Sequence, residues 1–437
     1  MNCKLWHIAF LAGGVALAAL AGCSVLKPIQ APRAISGSAD FSVVAAIGTS
    51  VTSGFESGGL VEAHQLKAFP MAFARQVGAS FTYPGISADG FPALLRLVSL
   101  VGPVIDNTGR TDGTERYRSQ TPAFNNMGVT GSVLPDVTSN AFYGRNPTFT
   151  AHFFDFVMRG RSGTILSEVL SLSPTFVTFE EGANEVLGPA ASGSGTPILT
   201  PGQYAALLTA TMNALAPASS SRKVAIFNVP DVTSLPYFST ISPRLDPTGA
   251  CRVLGQGGPL ADGDLVLLTA GPLLAAGVGV PTLCGGTGTA LPDTTYLLAA
   301  EAASIQGAID GYNAAIDTVG LRANVVKVDF HALLERAATT GFVIQGQVYT
   351  NAFVKGGMFS LDGIHPTDLS HGIIANALIE AVNAKFGARV PLVNLADYAT
   401  LTSSRARPSE VRLTIPQVTG TPDPFAALRD VGRWPRP

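Results

Sequence analysis

The sequence predicts a three-layer α/β/α sandwich with a mainly parallel sheet of about five strands. Short apolar runs, rich in β-branched residues, predict buried strands at residues 41–48, 123–127, 175–181, 223–229 and 324–330. Apolar spacings of three and four predict helices at residues 64–77, 165–171, 201–215, 293–319 and 368–386. Thr367 or Asp368 is the expected N-cap of the last helix. Strands that alternate with helices indicate parallel pairing, with helices covering both faces of the sheet.

The composition excludes several classes of protein. Of the 437 residues 46% are hydrophobic, which is enough for a large core and excludes disorder for most of the chain. The formal net charge is only -2 and no basic run occurs, so nucleic-acid binding is not expected. Beyond the N-terminus we find no apolar run of about 18 residues or more, so the sequence does not predict an integral membrane protein.

The first residues read as an export signal. Lys4 precedes an apolar stretch that ends in Leu20-Ala21-Gly22-Cys23, a sequence that resembles a bacterial lipobox. The resemblance implies a signal peptide at residues 1–22, a lipid anchor on Cys23 and a tether over residues 23–40. Ser24 after the cysteine favours the outer membrane. The alternative is an ordinary signal peptide that happens to end in a cysteine.

Two cysteines remain after Cys23, namely Cys251 and Cys284. In an oxidising compartment a pair of cysteines favours one disulfide. On the chain-entropy estimate, closing a loop of this length contributes roughly 3–4 kcal/mol. The alternative is two unrelated thiols. Neither cysteine has a histidine or a second cysteine at metal-ligand spacing.

The main domain is expected at residues 41–395, with two long insertions and a surface tail. The insertions cover residues 78–121 and 236–291, and the tail covers residues 396–437. Loops of such length are usually functional or covering elements. The aromatic and aliphatic segment at residues 81–105 could form an apolar acyl pocket or a lid, or equally a satellite of the core.

Polar loops follow the predicted strands, where ligands bind to open α/β sheets. The loop at residues 48–54 contains Ser50 directly after the first strand, and its N–H would point into the same space as its hydroxyl. Before the last helix, Asp362 and His365 are three residues apart in a turn. A carboxylate so placed can fix the tautomer of an imidazole that acts as a general base.

Two further loops supply candidate oxyanion donors. The loop at residues 126–132 contains Gly128 and Gly131, where the backbone can approach a ligand closely. The loop at residues 180–185 contains Asn184, whose amide can stabilise a developing oxyanion. Taken alone, each of these loops could equally be an ordinary turn or helix cap.

Together the four loops resemble the SGNH (GDSL-type) esterase and lipase family, in which successive blocks contribute Ser, Gly, Asn and His. The resemblance implies a flavodoxin-like sheet, with Ser50 as nucleophile, His365 as general base and Asp362 as its orienter. It implies an oxyanion hole made by Ser50, Gly131 and Asn184, with Gly128 a weaker match to the second block. Residues 41–383 follow the family in outline, and residues 223–238 and 69–74 are similar to a subgroup of exported lipoproteins.

Two positions depart from the family pattern. Thr49 stands where Asp is usual before the serine, and Glu185 stands where Asp is usual after Asn184. We expect altered loop support without loss of chemistry. The expected substrate is a carboxylic ester, whether acyl ester, lipid or acetylated glycan. An acyltransferase would use the same residues, and a binding protein that has lost catalysis is the alternative from another class.

No cofactor or metal is expected, and the protein is expected to be a monomer. His64, His152 and His331 have no acidic or cysteine neighbours in a ligand pattern along the sequence. His371, within the last helix, is expected to be structural or exposed. Glu180 and Glu181 should face opposite sides of a strand, so a glycosidase pair is not indicated.

Overall fold

The structure is a computed structural model that describes residues 35–99, 104–147 and 149–399 and the backbone of residues 417–418. The predicted signal peptide, Cys23, the first part of the tether and nearly all of the tail lie outside these residues. Residues 35–38 pair with residues 386–389, with Arg389 N–H donating to the Ile35 carbonyl at 2.7 Å and Ser38 N–H to the Phe386 carbonyl at 2.8 Å.

The central sheet confirms the predicted fold class. Its five strands are β1 (Val44–Gly48), β2 (Asn126–Gly128), β3 (Phe176–Glu180), β4 (Lys223–Phe227) and β5 (Val325–Val328). All neighbours are parallel, in the order β5-β4-β3-β1-β2, which is the flavodoxin-like order. The strands are buried almost throughout, as apolar runs covered on both faces require.

The described residues form thirteen α-helices, and several of them flank this sheet. They are α1 (Ser50–Ser53), α2 (Glu62–Gln65), α3 (Phe69–Val77), α4 (Leu134–Thr138), α5 (Thr150–Met158), α6 (Ile165–Ser171), α7 (Asn184–Ala191), α8 (Pro201–Leu215), α9 (Pro236–Ser239), α10 (Gly271–Ala275), α11 (Ala299–Gly320), α12 (Phe330–Ala338) and α13 (Asp368–Phe386). Helix α3 packs against α13, and α8 packs against α11. Among the described residues, no helix is both long enough and apolar enough to cross a membrane.

The prediction of one continuous helix at residues 64–77 is wrong, because the structure has two helices there, α2 and α3. Ala68 is the extended N-cap of α3 and Pro70 lies in its first turn, where a proline needs no hydrogen-bond partner. The predicted cap of the last helix is confirmed, since the Thr367 side chain accepts from Ser370 N–H. The sequence patterns did not predict α7, which begins at Asn184.

The two insertions contain short strands. Antiparallel pairs join Arg96–Ser99 to Val104–Asp106, Leu254–Gly255 to Gly258–Pro259, Leu265–Val266 to Tyr296–Leu297, and Phe342–Ile344 to Gln347–Tyr349 just before the last helix region. Gln417–Val418 adds a parallel partner to Val104–Asp106. In the second insertion Cys251 and Cys284 form the expected disulfide, with Cα atoms 6.0 Å apart.

Candidate active site

Ser50 lies where β1 ends and α1 begins. Thr49 is the N-cap of this short helix, and its hydroxyl accepts from Val51 N–H. Gly48 is required by a close approach, since a Cβ atom there would lie 2.1 Å from the Thr52 hydroxyl. The position is beside the boundary between β1 and β3, where the order of the sheet reverses and ligands bind in folds of this kind.

The turn from Asp362 to His365 folds around the Asp362 carboxylate. Oδ1 accepts the N–H groups of Ile364 and His365, each at 2.9 Å, and the Ser360 hydroxyl at 3.0 Å. Gly363 has a φ of 74°, which allows the chain to reverse between the two catalytic candidates without strain. These contacts hold the Asp362 carboxylate in place without any contribution from the His365 ring.

Asp362, His365 and Ser50 form one hydrogen-bonded chain. Asp362 Oδ2 lies 2.8 Å from His365 Nδ1, and His365 Nε2 lies 2.9 Å from Ser50 Oγ. All three side chains are buried. Burial opposes the charge on Asp362, but the His365 ring and the N–H donors outweigh it and lower the pKa of Asp362 to about 2. A charged carboxylate thus holds Nδ1 as the protonated nitrogen and leaves Nε2 to accept the Ser50 proton.

The predicted oxyanion donors differ in whether they already donate a hydrogen bond within the protein. Within the described residues, neither Ser50 N–H nor Gly131 N–H has a hydrogen-bond partner. The Asn184 amide donates to the Ser132 carbonyl at 2.7 Å, which leaves its second hydrogen available. Gly128 N–H already donates to the Asn126 side chain, which argues against Gly128 as a donor.

Thr49, the first departure from the family pattern, is paired with a buried glutamate. Glu180, the last residue of β3, accepts from both the N–H and the hydroxyl of Thr49 and from the Thr52 hydroxyl. Burial raises the pKa of Glu180 to about 7 despite these donors. An aspartate at position 49 would face this carboxyl group with like charge, whereas threonine donates to it. The replacement therefore has a structural partner that the sequence patterns did not reveal.

Glu185, the second departure, also supports the site. Its Oε1 accepts Leu134 N–H at 2.6 Å and so ties α7 to the loop of Gly131. Burial raises the pKa of Glu185 to about 7. The neighbouring Arg145 forms an ion pair with Asp136 and donates to the Gly131 carbonyl at 2.7 Å. The loop that contains Gly131 and the start of α4 are therefore held by buried polar contacts.

A groove that is partly open to solvent adjoins the Ser50–His365 pair. Ser50, His365 and Asn184 contribute to its wall, and Gly131 does not. Most of the remaining wall is apolar and includes Leu187, Leu235, Phe330, Leu334, Phe342 and Ile373.

The insertion at residues 81–105 does not line this groove over its described residues. Phe81 belongs to the hydrophobic core, and Phe91 packs against it and contacts the ring of Phe153. This agrees with the alternative of a satellite core. The groove is instead built by α7, α12 and α13 and the chain around them.

One histidine interpretation is confirmed and one needs correction. His371 is structural, as expected, since its side chain is fully buried in α13. His64 does have acidic neighbours, because Nδ1 lies 3.2 Å from Glu56 Oε2 and 2.9 Å from Asp368 Oδ1. Asp368 is 304 residues away along the chain, so sequence spacing could not show this contact.

A hydrogen-bonded Ser–His–Asp chain of this geometry can activate the serine hydroxyl for nucleophilic attack. The GDSL-like Lipase/Acylhydrolase family model matches residues 44–378, more than half of the chain. The chain therefore belongs to this family, and membership indicates a hydrolase of the lipase and acylhydrolase class. No curated protein matches the chain.

Among solved structures, the chain is similar to a Parabacteroides merdae ATCC 43184 protein assigned as a GDSL-like lipase. The two are 10% identical, and the match covers 80% of this chain and 99% of that chain with a TM-score of 0.35. A likeness of this strength carries no argument about substrate.

Proposed function

We propose that the protein cleaves carboxylic esters through a Ser50 acyl-enzyme. The observation that carries the proposal is the buried chain from Asp362 through His365 to Ser50, with both contacts at hydrogen-bond distance. A serine so placed is activated by the adjacent base, and the base is oriented by the carboxylate. A protein that had lost catalysis would have no need to keep this chain intact.

In the proposed acylation step, Ser50 Oγ attacks the ester carbonyl carbon while His365 Nε2 takes the Oγ proton. The C–O bond to the alcohol then breaks, and His365 returns the proton to the leaving oxygen. In deacylation His365 takes a proton from water, the hydroxide attacks the acyl carbon, and Ser50 regains its proton as the acid leaves. Asp362 stays ionised and stabilises the imidazolium in both steps.

The proposed oxyanion hole consists of Ser50 N–H, Gly131 N–H and the Asn184 amide. Support comes from the two unpaired backbone donors and from the position of Asn184 on the groove that also borders Ser50. Donors fixed in advance around the carbonyl oxygen stabilise the tetrahedral intermediate more than the ground state.

For the substrate we propose an ester with a medium or long acyl chain. The groove beside Ser50 is lined mostly by aliphatic and aromatic side chains, and an apolar chain gains free energy by leaving water there. An acetylated glycan would call for a cleft rich in polar side chains. The groove therefore favours acyl esters and lipids over acetylated sugars.

The test is kcat/KM for p-nitrophenyl acetate, butyrate and octanoate beside an acetylated oligosaccharide. We expect turnover to rise with acyl length and to be lost in Ser50→Ala. Phe342→Ala removes a wall of the groove and should lower kcat/KM for the octanoate about tenfold, with little change for the acetate. Val343→Ala is the matched control, because Val343 is the next residue on the same strand and is 68% exposed. Preference for the acetylated sugar would contradict the proposed substrate.

We further propose that the protein is exported and anchored to the outer membrane by a lipid on Cys23. Support comes from the lipobox-like sequence before Cys23 and from the Cys251–Cys284 disulfide, a bond typical of oxidising compartments. Labelling of the producing cells with a radioactive fatty acid should mark the protein, and Cys23→Ser should abolish the label. Retention of the label in this variant would contradict the proposal.

A further inference from the structure

Three potential metal ligands meet next to the catalytic turn. They are Glu56 in the loop after α1, His64 in α2 and Asp368 at the first position of α13. One oxygen of each carboxylate and one nitrogen of the ring lie within 4.8 Å of one another. The cluster is separate from the Ser50–His365 pair and has no role in the proposed reaction.

The distances in this cluster suit coordination. His64 Nδ1 lies 2.9 Å from Asp368 Oδ1 and 3.2 Å from Glu56 Oε2. Zinc binds such atoms at about 2.0–2.2 Å, so neighbouring ligands in a tetrahedral or octahedral site are separated by roughly 2.9–3.4 Å. The distances from His64 Nδ1 to the two carboxylate oxygens therefore match those between ligands that share one ion.

One carboxylate oxygen of the cluster is buried without a hydrogen-bond donor among the described residues. Glu56 is only 8% exposed, and its Oε2 is buried and accepts no hydrogen bond from the described residues. A single ring N–H cannot donate to two acceptors well, and the one on His64 is directed at Asp368. A buried carboxylate oxygen without a donor is costly, whereas a cation placed between the three ligands would satisfy it.

We propose that Glu56 Oε2, His64 Nδ1 and Asp368 Oδ1 bind one divalent cation, and that zinc is the ion they fit best. An imidazole favours zinc and other transition metals over calcium and magnesium. Zinc also accepts carboxylate oxygens beside a histidine nitrogen. Two carboxylates and a neutral ring also balance the charge of a divalent ion. Water would fill the remaining coordination positions.

The bound ion would join the two segments that support the triad. In the Glu56 loop, Ser57 N–H donates to the Ser360 hydroxyl and Gly58 N–H donates to Asp362 Oδ2, both at 2.9 Å. On the other side, Asp368 lies three residues after His365. The ion would therefore act as a structural link that fastens the Asp362 support loop to the helix after His365, without contacting Ser50.

The test is calorimetric titration of the purified, untagged full chain with ZnCl₂ after removal of metals by EDTA. We expect one zinc per chain in the wild type and in Ser50→Ala. Affinity should fall about tenfold or more in Glu56→Gln and in Asp368→Asn, since each removes one anionic ligand. His152→Gln is the control for adventitious binding, because His152 is an exposed histidine whose ring packs on Phe91; this variant should bind as the wild type does.

Absence of stoichiometric zinc binding by the wild type would overturn the proposal, whatever the variants do. Equal affinity in a folded Glu56→Gln would also overturn it. If that variant does not fold, anomalous diffraction from zinc-soaked wild-type crystals decides, and a zinc peak away from these three side chains would refute the site. Because the measured quantity is ion binding, the result does not depend on the proposed esterase activity.

Discussion

Two regions beside Ser50 bury carboxyl groups and shift the pKa values of these groups in opposite directions. Asp362 is surrounded by three backbone N–H donors, the Ser360 hydroxyl and the His365 ring, and its pKa is lowered to about 2. Glu180 is equally buried, but its donors belong to Thr49 and Thr52, and no cation in the described part of the chain contacts it. The pKa of Glu180 therefore rises to about 7.

Burial alone does not set the charge of a carboxyl group in this site. Both carboxyl groups lose hydration, and the number and charge of the donors decide which of them stays ionised. Asp362 is built as a permanent anion that orients His365. Glu180 is built as a neutral or partly neutral group that holds Thr49, and through it the start of α1.

The largest difference between the roles of Asp362 and Glu180 is expected in a matched pair of amide substitutions. Asp362→Asn keeps the shape but removes the charge and the correct tautomer of His365, so kcat should fall by about 10³–10⁴. Glu180→Gln keeps an acceptor for Thr49 and removes a charge that is only partly present, so kcat should change less than about tenfold. Equal losses in the two variants, measured with one ester at pH 7, would refute the division of roles.

A smaller effect is expected at the oxyanion side of the site. Asn184→Ala should lower kcat by about 10²–10³ with little change in KM, because the amide is proposed to act mainly in the transition state. Asn140→Ala, at an exposed position, is the control for a general effect of losing an amide. An unchanged kcat in Asn184→Ala would remove this residue from the oxyanion hole and leave it only its hydrogen bond to Ser132.

The smallest expected effect is on stability as a function of pH. The pKa of Glu180 is about 7 in the folded protein against an ordinary 4.5, so between these values the folded state binds more protons than the unfolded state. The free energy of unfolding should therefore fall as pH rises from 4.5 to 7, on the order of 3 kcal/mol for this group. Asp362 has the opposite sign, and its contribution is lost as pH falls from about 4 towards 2.

Urea denaturation at pH 5 and pH 8 measures this dependence. Glu180→Gln should reduce the loss of stability between the two pH values, while Glu335→Gln, at an exposed site, should leave it unchanged. An identical pH dependence in wild type and Glu180→Gln would mean that Glu180 is ionised in both states, and the contrast with Asp362 would fail.

The sequence predicted the catalytic candidates and the central strands, but not the division of the first long helix. Ser50, Asp362 and His365 lie in short motifs after or before clear elements, so their approach follows from a parallel sheet whose strands end at one edge. The five strands are recognisable because they are continuous apolar runs. The division of the first long helix was missed because Pro70 is compatible with a first turn as well as with an interruption.

Contacts between distant segments were beyond the reach of sequence patterns. Thr49 and Glu180 are 131 residues apart, and His64 and Asp368 are 304 residues apart. The apolar groove is likewise assembled from side chains of several helices. Phe81 and Phe91 of the insertion, for which a pocket and a satellite core were equal alternatives, pack in the core. A polar replacement at position 49 beside an acidic residue at the end of β3 is the one signal that could have revealed the first pair.

Labelling of the purified full chain with a fluorophosphonate probe tests the central claim most directly, because the probe reacts with an activated serine and requires no knowledge of the substrate. The account predicts that the wild type is labelled at Ser50, that Ser50→Ala and His365→Ala are not, and that Glu180→Gln still is. A folded wild-type protein that takes no label, or one that is labelled as strongly in Ser50→Ala, would contradict it.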